Sequence, residues 1–285
     1  MKIPKRLQPL VDDGLIDAVI SRLMSGKEAD VFVVRCGEHI RCAKVYKDAM
    51  KRSFKKAAQY QEGRKVRGGR QARAMGKRSN YGRQLEEEIW QNAEVDALSR
   101  LAAANVRVPA TYCCVDGVLL MELVSDAEGN VAPQLGAISL SEEEAIRQYT
   151  LMVHYIRLML CTGLIHGDLS EFNVLVDDSG PVIIDLPQAV NAAANNSAQA
   201  MFERDVNNMR RYYGEYAPAL LQTNYAKEIW ALFEEGSLTE NSALTGLYED
   251  DFQAADVGSV LEEINAAMLE EQERQARING QDDIG

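Results

Sequence analysis

The stretch Leu164-Ile165-His166-Gly167-Asp168-Leu169-Ser170-Glu171-Phe172-Asn173-Val174-Leu175-Val176, followed by Val182-Ile183-Ile184-Asp185, decides how the rest of the chain is interpreted. It places an aspartate, an asparagine five residues later and a second aspartate twelve residues after that, beside short β-branched runs typical of strands. One carboxylate for an acceptor hydroxyl and two oxygen ligands for magnesium form the layout of a phosphoryl-transfer site. We therefore expect Asp168 to hold the acceptor and Asn173 and Asp185 to bind the metal.

Length and composition indicate an ordinary globular protein. At 285 residues the chain can bury a full core, and 46% hydrophobic with 26% charged residues is typical of that class. No apolar run is long enough to cross a bilayer, and the first six residues lack the apolar core of a signal peptide, so we expect a cytoplasmic protein with no membrane contact. The five cysteines are scattered without CxxC spacing, which favours neither a disulfide framework nor a zinc site.

The net charge of −12 conceals two segments of opposite sign. Residues 51–83 carry twelve basic side chains against Glu62 alone, whereas residues 234–285 carry fourteen acidic side chains against two arginines. Residues 48–83 also contain five glycines and no sustained apolar period, so we interpret them as a long basic flexible loop. A ribosome or RNA contact and a merely solvated loop are equally consistent with this charge.

The first half of the chain predicts a small antiparallel sheet with one helix, over residues 24–124. Two strand patterns lie within residues 31–46, and the dipeptide Asp116-Gly117 predicts a hairpin between two later strands. Apolar residues at helical spacing predict a helix over 84–104. The lobe is therefore mainly β, with its helix inserted between the two pairs of strands.

The remaining segments are assigned from their composition. Residues 1–23 have a partly helical spacing and predict a short N-terminal extension packed on the first lobe, and the glycine- and proline-bearing residues 125–137 predict a hinge or linker. A second lobe over 138–235 opens with a capping-box pattern at Ser141 and is mainly helical. We expect an acidic helical extension over 236–285.

A lysine, a glutamate and a turn complete the predicted site. Lys44 lies inside a strand, where it would neutralise phosphate oxygens, and Glu94 on the predicted helix would fix its direction through an ion pair. The turn Ser25–Ala29 offers backbone N–H donors to phosphates, with Lys27 adding charge. Each part alone is weak, but their order along the chain is specific.

Four segments resemble the signatures of the RIO family of atypical protein kinases. They are Ser25-Gly26-Lys27-Glu28-Ala29-Asp30-Val31, His166-Gly167-Asp168-Leu169-Ser170-Glu171-Phe172-Asn173, Ile183-Ile184-Asp185-Leu186-Pro187-Gln188-Ala189-Val190 and Phe202-Glu203-Arg204-Asp205-Val206-Asn207-Asn208. The likeness covers most of residues 20–215. About twenty residues precede the turn, which resembles the branch of the family without an N-terminal winged helix.

The resemblance implies an α+β, two-lobed protein-kinase-like fold, with a small antiparallel-sheet N-lobe and a mainly helical C-lobe. It implies an enzyme that binds ATP with Mg²⁺, or Mn²⁺, in the cleft and transfers the γ-phosphate to a Ser/Thr hydroxyl, autophosphorylation included, with ATPase activity besides. The protein substrate is not implied. The loop 48–83 matches the family's flexible loop, in which Ser53 and Ser79 are candidates for autophosphorylation.

Residue roles also follow from the matching motifs. The resemblance implies that Asp168 is the catalytic base, that Asn173 and Asp185 are metal ligands, and that Lys44 contacts phosphate. It further implies that Glu122 and Val124 offer hinge backbone groups to adenine, and that Asp185 is a phosphate acceptor in an ATPase cycle.

Departures from ordinary protein kinases narrow this expectation. Gly167 replaces the arginine of the HRD motif, so no cation is expected there to dock a phosphorylated activation loop. Asp185-Leu186-Pro187 replaces DFG and no Ala-Pro-Glu follows, which argues against ordinary peptide docking. We interpret His166 as a packed structural residue and Asp205 as an internal brace to the catalytic loop.

Two alternatives stay open from the sequence. A small-molecule hydroxyl phosphotransferase of the aminoglycoside or choline kinase type shares His-Gly-Asp-x4-Asn and a later Ile-Asp, although the Ser170-Glu171-Phe172 run and the Ser25–Ala29 turn argue against it. A ribosome- or RNA-binding switch controlled by nucleotide is suggested by the basic loop. In that reading phosphoryl transfer is incidental.

Overall fold

Five antiparallel strands form the sheet of the N-terminal lobe, in a computed structural model that describes residues 3–26, 28–47 and 93–248. The strands are β1 (Ala18–Ser25), β2 (Ala29–Cys36), β3 (His39–Tyr46), β4 (Thr111–Val115) and β5 (Val118–Glu122). Their spatial order is β1-β2-β3-β5-β4. Lys27, the basic loop 48–83 and the C-terminal residues from 249 onward lie outside the described residues.

The predicted hairpin between β4 and β5 is confirmed. Asp116 and Gly117 both have positive φ, 49° and 75°, as a two-residue type I′ turn requires. Glycine adopts this backbone without steric cost, and aspartate tolerates it better than most residues. The turn thereby pairs Val115 with Val118 and sets the register of the hairpin.

The two faces of the sheet bury different residues because successive side chains of a strand alternate. On β3, Ala43 and Val45 join an outer cluster with Leu7 and Leu10 of the N-terminal segment. Lys44 and Tyr46, which alternate with Ala43 and Val45, lie on the opposite face. Tyr46 packs in the main core with residues of the C-terminal lobe. This alternation positions Lys44 toward the space between the lobes.

The expectation for residues 1–23 was wrong in part. A short helix α1 (Gln8–Asp12) is present and packs on the lobe, but Val19, Ile20 and Leu23 belong to the edge strand β1, which crosses the proposed boundary at residue 23. Leu15, Ile20 and Leu23, which suggested a helical stripe, are 41–49% exposed. Pairing with β2 outweighs the helical spacing, because tertiary context overrides local pattern in short apolar segments.

Helices dominate the C-terminal lobe, as predicted. Residues 93–103 form α2, and residues 84–92 of the predicted helix lie outside the described residues. The lobe itself contains α3 (Glu142–Cys161), α4 (Ala198–Gly214) and α5 (Tyr225–Glu234). The capping box predicted at Ser141 is present, since its hydroxyl accepts from Glu144 N and the Glu144 carboxylate accepts from Ser141 N. Two backbone N–H groups at the start of α3 are thereby satisfied.

Two small two-stranded sheets carry the motif of residues 164–185. The short strands β6 (Leu164–Ile165) and β9 (Val190–Asn191) pair with each other, as do β7 (Val174–Asp177) and β8 (Gly180–Ile183). The pairing of Val174 with Ile183 places the residues just before β7 and just after β8 at one end of the hairpin. At this end the backbone N–H of Ile184 donates to the Asn173 carbonyl at 3.0 Å.

The connecting segments are tied to the body of the protein. In the predicted linker 125–137, Asp126 and Asn130 close a turn, and Leu135 is fully buried in a short 3₁₀ turn. Residues 236–248 are irregular and not helical, which corrects the start of the expected helical extension; Glu228 holds them through Thr245 and Gly246. Among the described residues, no helix has both the length and the apolar composition to cross a bilayer.

The capping box of α3 generates a stability prediction. Replacing Ser141 by Ala should lower the free energy of unfolding by about 1 kcal/mol, because the amide of Glu144 loses its acceptor. Urea unfolding followed by circular dichroism measures the change. The matched variant Ser141→Thr keeps a hydroxyl at the cap and should lose only a few tenths of that amount; equal losses for both variants would contradict the capping role.

Candidate active site

The site is built around the buried ammonium group of Lys44. Its Nζ donates to Glu94 Oε1 at 2.6 Å and to Asp185 Oδ1 at 2.7 Å, and Lys44 is only 6% exposed. Burial alone would lower the pKa of Lys44, but the charges of Glu94 and Asp185 raise it above its ordinary value. Lys44 therefore stays charged and joins β3, α2 and the segment after β8. The ion pair predicted between Lys44 and Glu94 is present.

Glu94 has a second buried partner that the sequence did not suggest. The hydroxyl of Tyr46 donates to Glu94 Oε2 at 2.5 Å, while Lys44 occupies Oε1. Tyr46 is fully buried and Glu94 is 2% exposed. Burial, followed by the adjacent Glu94 charge, raises the pKa of Tyr46 well above its usual range. Both oxygens of the Glu94 carboxylate are thus satisfied inside the protein, as a buried charge requires.

Asp185 lies at the end of β8 in an uncommon backbone conformation. Its φ is +64°, in the left-handed region, and its side chain is 42% exposed although it contacts Lys44. Burial would raise the pKa of Asp185, but the charge and hydrogen bond of Lys44 outweigh it and lower the pKa. An ionised, partly exposed carboxylate results, with the electrostatic character of a metal ligand.

Asp168 and Asn173 lie close to this carboxylate. Asn173 Nδ2 donates to the Asp168 carbonyl at 2.8 Å, and the Asn173 carbonyl accepts from Ile184 N next to Asp185. The side chain of Asp168 is exposed. The structure therefore brings together Asp168, Asn173 and Asp185, the three motif residues separated by up to seventeen positions in sequence.

Asp205 holds the loop that carries Asp168. Its two carboxylate oxygens accept from Gly167 N at 2.7 Å and from Leu169 N at 3.1 Å, the residues on either side of Asp168. Burial raises the pKa of Asp205 to about 6, against the opposing effects of His166 and the two backbone bonds. The carboxyl group remains ionised at neutral pH. The brace predicted for Asp205 is confirmed.

His166 also serves the backbone of this loop. Its Nε2 lies 2.9 Å from the Ile184 carbonyl, and its Nδ1 accepts from Asp168 N at 3.3 Å. These partners assign the proton to Nε2, so the ring is a donor to Ile184 and an acceptor from Asp168. With only 2% of its surface exposed, His166 is the packed structural residue that the sequence suggested.

The turn before β2 is fixed by its own side chains. Ser25 Oγ donates to Asp30 Oδ1 at 2.5 Å, and Gly26 N donates to the Ala29 carbonyl at 2.9 Å. Lys47, which sequence reasoning did not single out, donates to the Gly26 carbonyl at 2.6 Å. Ser25 therefore braces the turn. Lys47 and Arg22 both pair with Asp30 there, whereas Lys27 lies outside the described residues.

The hinge residues have some of their backbone groups already in use. The Glu122 N–H donates to the Ala110 carbonyl at 2.8 Å, and the Val124 carbonyl accepts from Ala132 at 3.0 Å. The Glu122 side chain in turn accepts from Ala110 N. Of the hinge backbone groups expected to bind adenine, the Glu122 carbonyl and the Val124 N–H remain as candidates.

Most of the chain matches a known family of domains. A family model described as the RIO domain matches residues 30–226. This chain belongs to the RIO family. The match includes Lys44, Glu94, Asp168, Asn173 and Asp185, and so spans the cluster described above.

Relatives of the RIO domain carry kinase names. The chain is 31% identical over 207 residues to the RIO-type serine/threonine-protein kinase Rio1 of Haloferax volcanii, which covers 72% of this chain and 66% of that protein. It is 26% identical over 274 residues to the serine/threonine-protein kinase rio1 of Schizosaccharomyces pombe, covering 90% of this chain and 52% of that protein. The chain thus spans between one half and two thirds of these curated relatives.

A solved structure of the family confirms the fold. The Rio2 kinase from Chaetomium thermophilum, crystallised as an ADP/Mg²⁺-phosphoaspartate complex, superposes with a TM-score of 0.60 at 21% identity, covering 94% of this chain and 75% of that chain. The protein-kinase-like fold expected from the sequence, with an antiparallel sheet and a mainly helical lobe, is confirmed.

Some contacts of this RIO domain had no obvious sequence signal. Arg204 of α4 donates to the Gly167 carbonyl, so a cation does lie beside the loop although Gly167 replaces the HRD arginine. Asp177, the last residue of β7, pairs with Arg107. The Tyr46 contact had a usable signal, because Tyr46 follows Lys44 by two positions and strand alternation places both on one face.

The Asp205 brace generates a prediction. Asp205→Asn replaces one acceptor oxygen by a donor that faces a backbone N–H, and should cost about 1–3 kcal/mol of stability. Amide hydrogen exchange should accelerate at Gly167 and Leu169. The control Glu203→Gln lies two residues away on α4, where the side chain accepts from the exposed Gln199, and should leave both quantities nearly unchanged. Equal effects of the two variants would refute a specific brace.

Proposed function

We propose that this protein is an atypical serine/threonine protein kinase, which transfers the γ-phosphate of ATP to a Ser/Thr hydroxyl. The observation that carries the proposal is the bridge from Lys44 Nζ to both Glu94 and Asp185, beside the loop of Asp168 and Asn173. Lys44 has three N–H donors, two of which these carboxylates occupy, so the third is available to a phosphate oxygen. The kinase names of the relatives support the same reading.

Asp168 is the proposed catalytic base. Its carboxylate is exposed to an incoming hydroxyl, whereas its backbone neighbours Gly167 and Leu169 are anchored to Asp205. This anchoring limits the positions that the carboxylate can take relative to the acceptor, which is how positioning lowers a phosphoryl-transfer barrier. Asp168 would accept the hydroxyl proton as the bond to phosphorus forms.

Asn173 and Asp185 would hold Mg²⁺, and Mn²⁺ is an alternative of similar ligand preference. The donor set fits: Asn173 directs its NH₂ to the Asp168 carbonyl, which leaves the amide oxygen as its ligand atom, and Asp185 is ionised. Hard oxygen ligands with phosphate oxygens in the remaining positions suit this ion. When bound, the metal neutralises charge on the β- and γ-phosphates.

The nucleotide would lie between the turn and the hinge. The turn 25–29 would present backbone N–H groups to the phosphates, with Lys27 adding charge, and the Glu122 carbonyl and Val124 N–H would bind adenine. Ser25 contributes indirectly, because its hydroxyl is bonded to Asp30. ATP is therefore the proposed cosubstrate, held between the two lobes.

ATP hydrolysis through Asp185 is a second proposed output of the same site. The related Rio2 structure is titled as an ADP/Mg²⁺-phosphoaspartate complex, which motivates an aspartyl-phosphate intermediate here. The exposed fraction of Asp185 and its lowered pKa are compatible with a nucleophilic carboxylate. Product analysis separates the outputs, because hydroxylamine cleaves an aspartyl phosphate but not phosphoserine, whereas hydrolysis releases free phosphate.

Substitution of the proposed base tests the function. Asp168→Asn should lower transfer of label from γ-labelled ATP to Ser/Thr by about 10²–10⁴-fold, because the amide cannot accept the hydroxyl proton. Nucleotide affinity, measured by calorimetry with Mg²⁺, should change little. The exposed Asp178, which accepts from Ala127 N at the far end of the β7–β8 hairpin, offers the control Asp178→Asn.

The two variants give distinguishable outcomes. Transfer retained by Asp178→Asn and lost by Asp168→Asn supports the proposed base. A wild-type protein that labels no Ser/Thr residue, or an Asp168→Asn variant with normal transfer, would overturn the kinase assignment. Robust turnover of a sugar or amino alcohol by the wild type would favour the small-molecule phosphotransferase instead.

A cytoplasmic ribosome or RNA contact through residues 48–83 is proposed as the partner interaction, on the strength of sequence charge alone. Neutralising the arginines between Arg64 and Arg83 should weaken RNA retention and flatten its dependence on salt, because fewer phosphate counterions are released on binding. Filter binding across a salt series measures both. RNA retention that is unchanged by salt concentration and by the substitutions would refute this proposal and leave the kinase assignment intact.

A further inference from the structure

Tyr46 occupies a central place in the site without a role in the proposed chemistry. Its hydroxyl donates at 2.5 Å to the Glu94 oxygen that Lys44 leaves open. Its ring lies 5.6 Å from the Lys44 ammonium, within the range of a cation–π contact. Tyr46 therefore contacts both members of the ion pair.

The Glu94 carboxylate needs two donors to remain where it is. Glu94 is 2% exposed, so an oxygen without a hydrogen bond would bear an uncompensated desolvation penalty. Lys44 satisfies Oε1, and among the residues that the structure describes only Tyr46 satisfies Oε2. Without the phenol, rotation of Glu94 toward water would become the cheaper state, and Lys44 would lose one of its two anions.

The backbone of Tyr46 is anchored separately from its side chain. Arg6 donates to the Tyr46 carbonyl at 2.7 Å, and Tyr46 N donates to the Gly117 carbonyl at 3.0 Å. These contacts come from the N-terminal segment and from the β4–β5 turn, on either side of β3. The phenol is consequently a fixed donor, which does not depend on a segment that must first be ordered.

Ordinary kinases control the corresponding ion pair through their activation loop, which positions the helix that carries the glutamate. Here Leu186 and Pro187 are buried directly after Asp185, and strand β9 begins at Val190. The chain in this region is packed into the lobe, so another contact must position Glu94.

We propose that Tyr46 is a positioning residue that holds Glu94, and through it Lys44, in the catalytic arrangement before nucleotide arrives. The inference rests on the proposed kinase function and adds to it that the ion pair is assembled constitutively. The proposed effect of the Tyr46 hydroxyl is transmitted through Glu94, while the ring keeps its contact with Lys44. Loss of its hydroxyl leaves the proposed base, metal ligands and hinge groups in place.

A double-mutant cycle tests this dependence. Tyr46→Phe should lower kcat roughly tenfold, the effect of losing one hydrogen bond to a charged group, and should change KM for ATP by less than about twofold. Glu94→Ala should lower kcat further. Adding Tyr46→Phe to Glu94→Ala should cause little additional loss, because the proposed effect of the phenol on the reaction is transmitted through Glu94.

A buried tyrosine elsewhere provides the matched control. The hydroxyl of Tyr213, also fully buried, donates to Gln148 Oε1 at 3.4 Å inside the C-terminal lobe. Tyr213→Phe should alter thermal stability without changing kcat or KM. Normal kcat in Tyr46→Phe, multiplicative losses in the double variant, or an equal kcat loss in Tyr213→Phe would each overturn the positioning role.

Hydrogen exchange separates this inference from the kinase assignment. In the nucleotide-free protein, Tyr46→Phe should reduce amide protection in helix 93–103 at least tenfold, whereas Tyr213→Phe should not. Unchanged protection would overturn the inference even if Glu94→Ala fails to fold. If the wild type transfers no phosphate, the kinase assignment fails, and this exchange measurement alone decides whether Tyr46 positions Glu94.

Discussion

The structure depends on a single buried ammonium group, that of Lys44, placed between two carboxylates. An isolated charge at this depth would be strongly unfavourable, and its stability here requires Glu94 and Asp185 together. Lys44 lies on β3, Glu94 on α2 and Asp185 at the end of β8. The pairing of the buried ammonium group with both carboxylates therefore fixes the relative position of three segments that are distant in sequence. Lys44, Glu94 and Asp185 together carry one positive and two negative charges. The net negative charge lies on the side of Asp185, where a divalent cation would be bound.

A second constraint acts on the backbone of the motif loop. Asp205 binds the amides on both sides of Asp168, and Arg204, its neighbour on α4, binds the Gly167 carbonyl. One turn of a helix therefore holds the loop by its main chain and leaves the Asp168 side chain exposed. Gly167 has φ of +84°, a conformation that a side chain such as the arginine of HRD would make costly. The change from arginine to glycine thus accompanies a different way of supporting the same loop.

Local features were predictable from the sequence, and a few contacts between distant segments, such as the Lys44–Glu94 ion pair, were predictable from the order of the motif parts along the chain. The Asp116-Gly117 hairpin and the Ser141 capping box depend on neighbouring residues and were predicted correctly. The strand β1 was missed because its apolar spacing also fits a helix, and only its pairing with β2 resolves the ambiguity. Lys47 at the turn and Arg204 at Gly167 carry no periodic signal, since their partners are backbone carbonyls.

Lys44 and Asp168 represent two kinds of group in the site, one buried and hydrogen-bonded and the other exposed to solvent. Lys44, Glu94 and Tyr46 form a closed set in which each polar side-chain atom has a partner before any nucleotide binds. Asp168 and the outer part of Asp185 are open to solvent and have capacity for new partners. A buried, satisfied network resists rearrangement, whereas exposed carboxylates can exchange water for substrate or metal at little cost. The network of Lys44, Glu94 and Tyr46 is therefore ordered during folding. Binding of substrate or metal has to order only the groups that face the cleft.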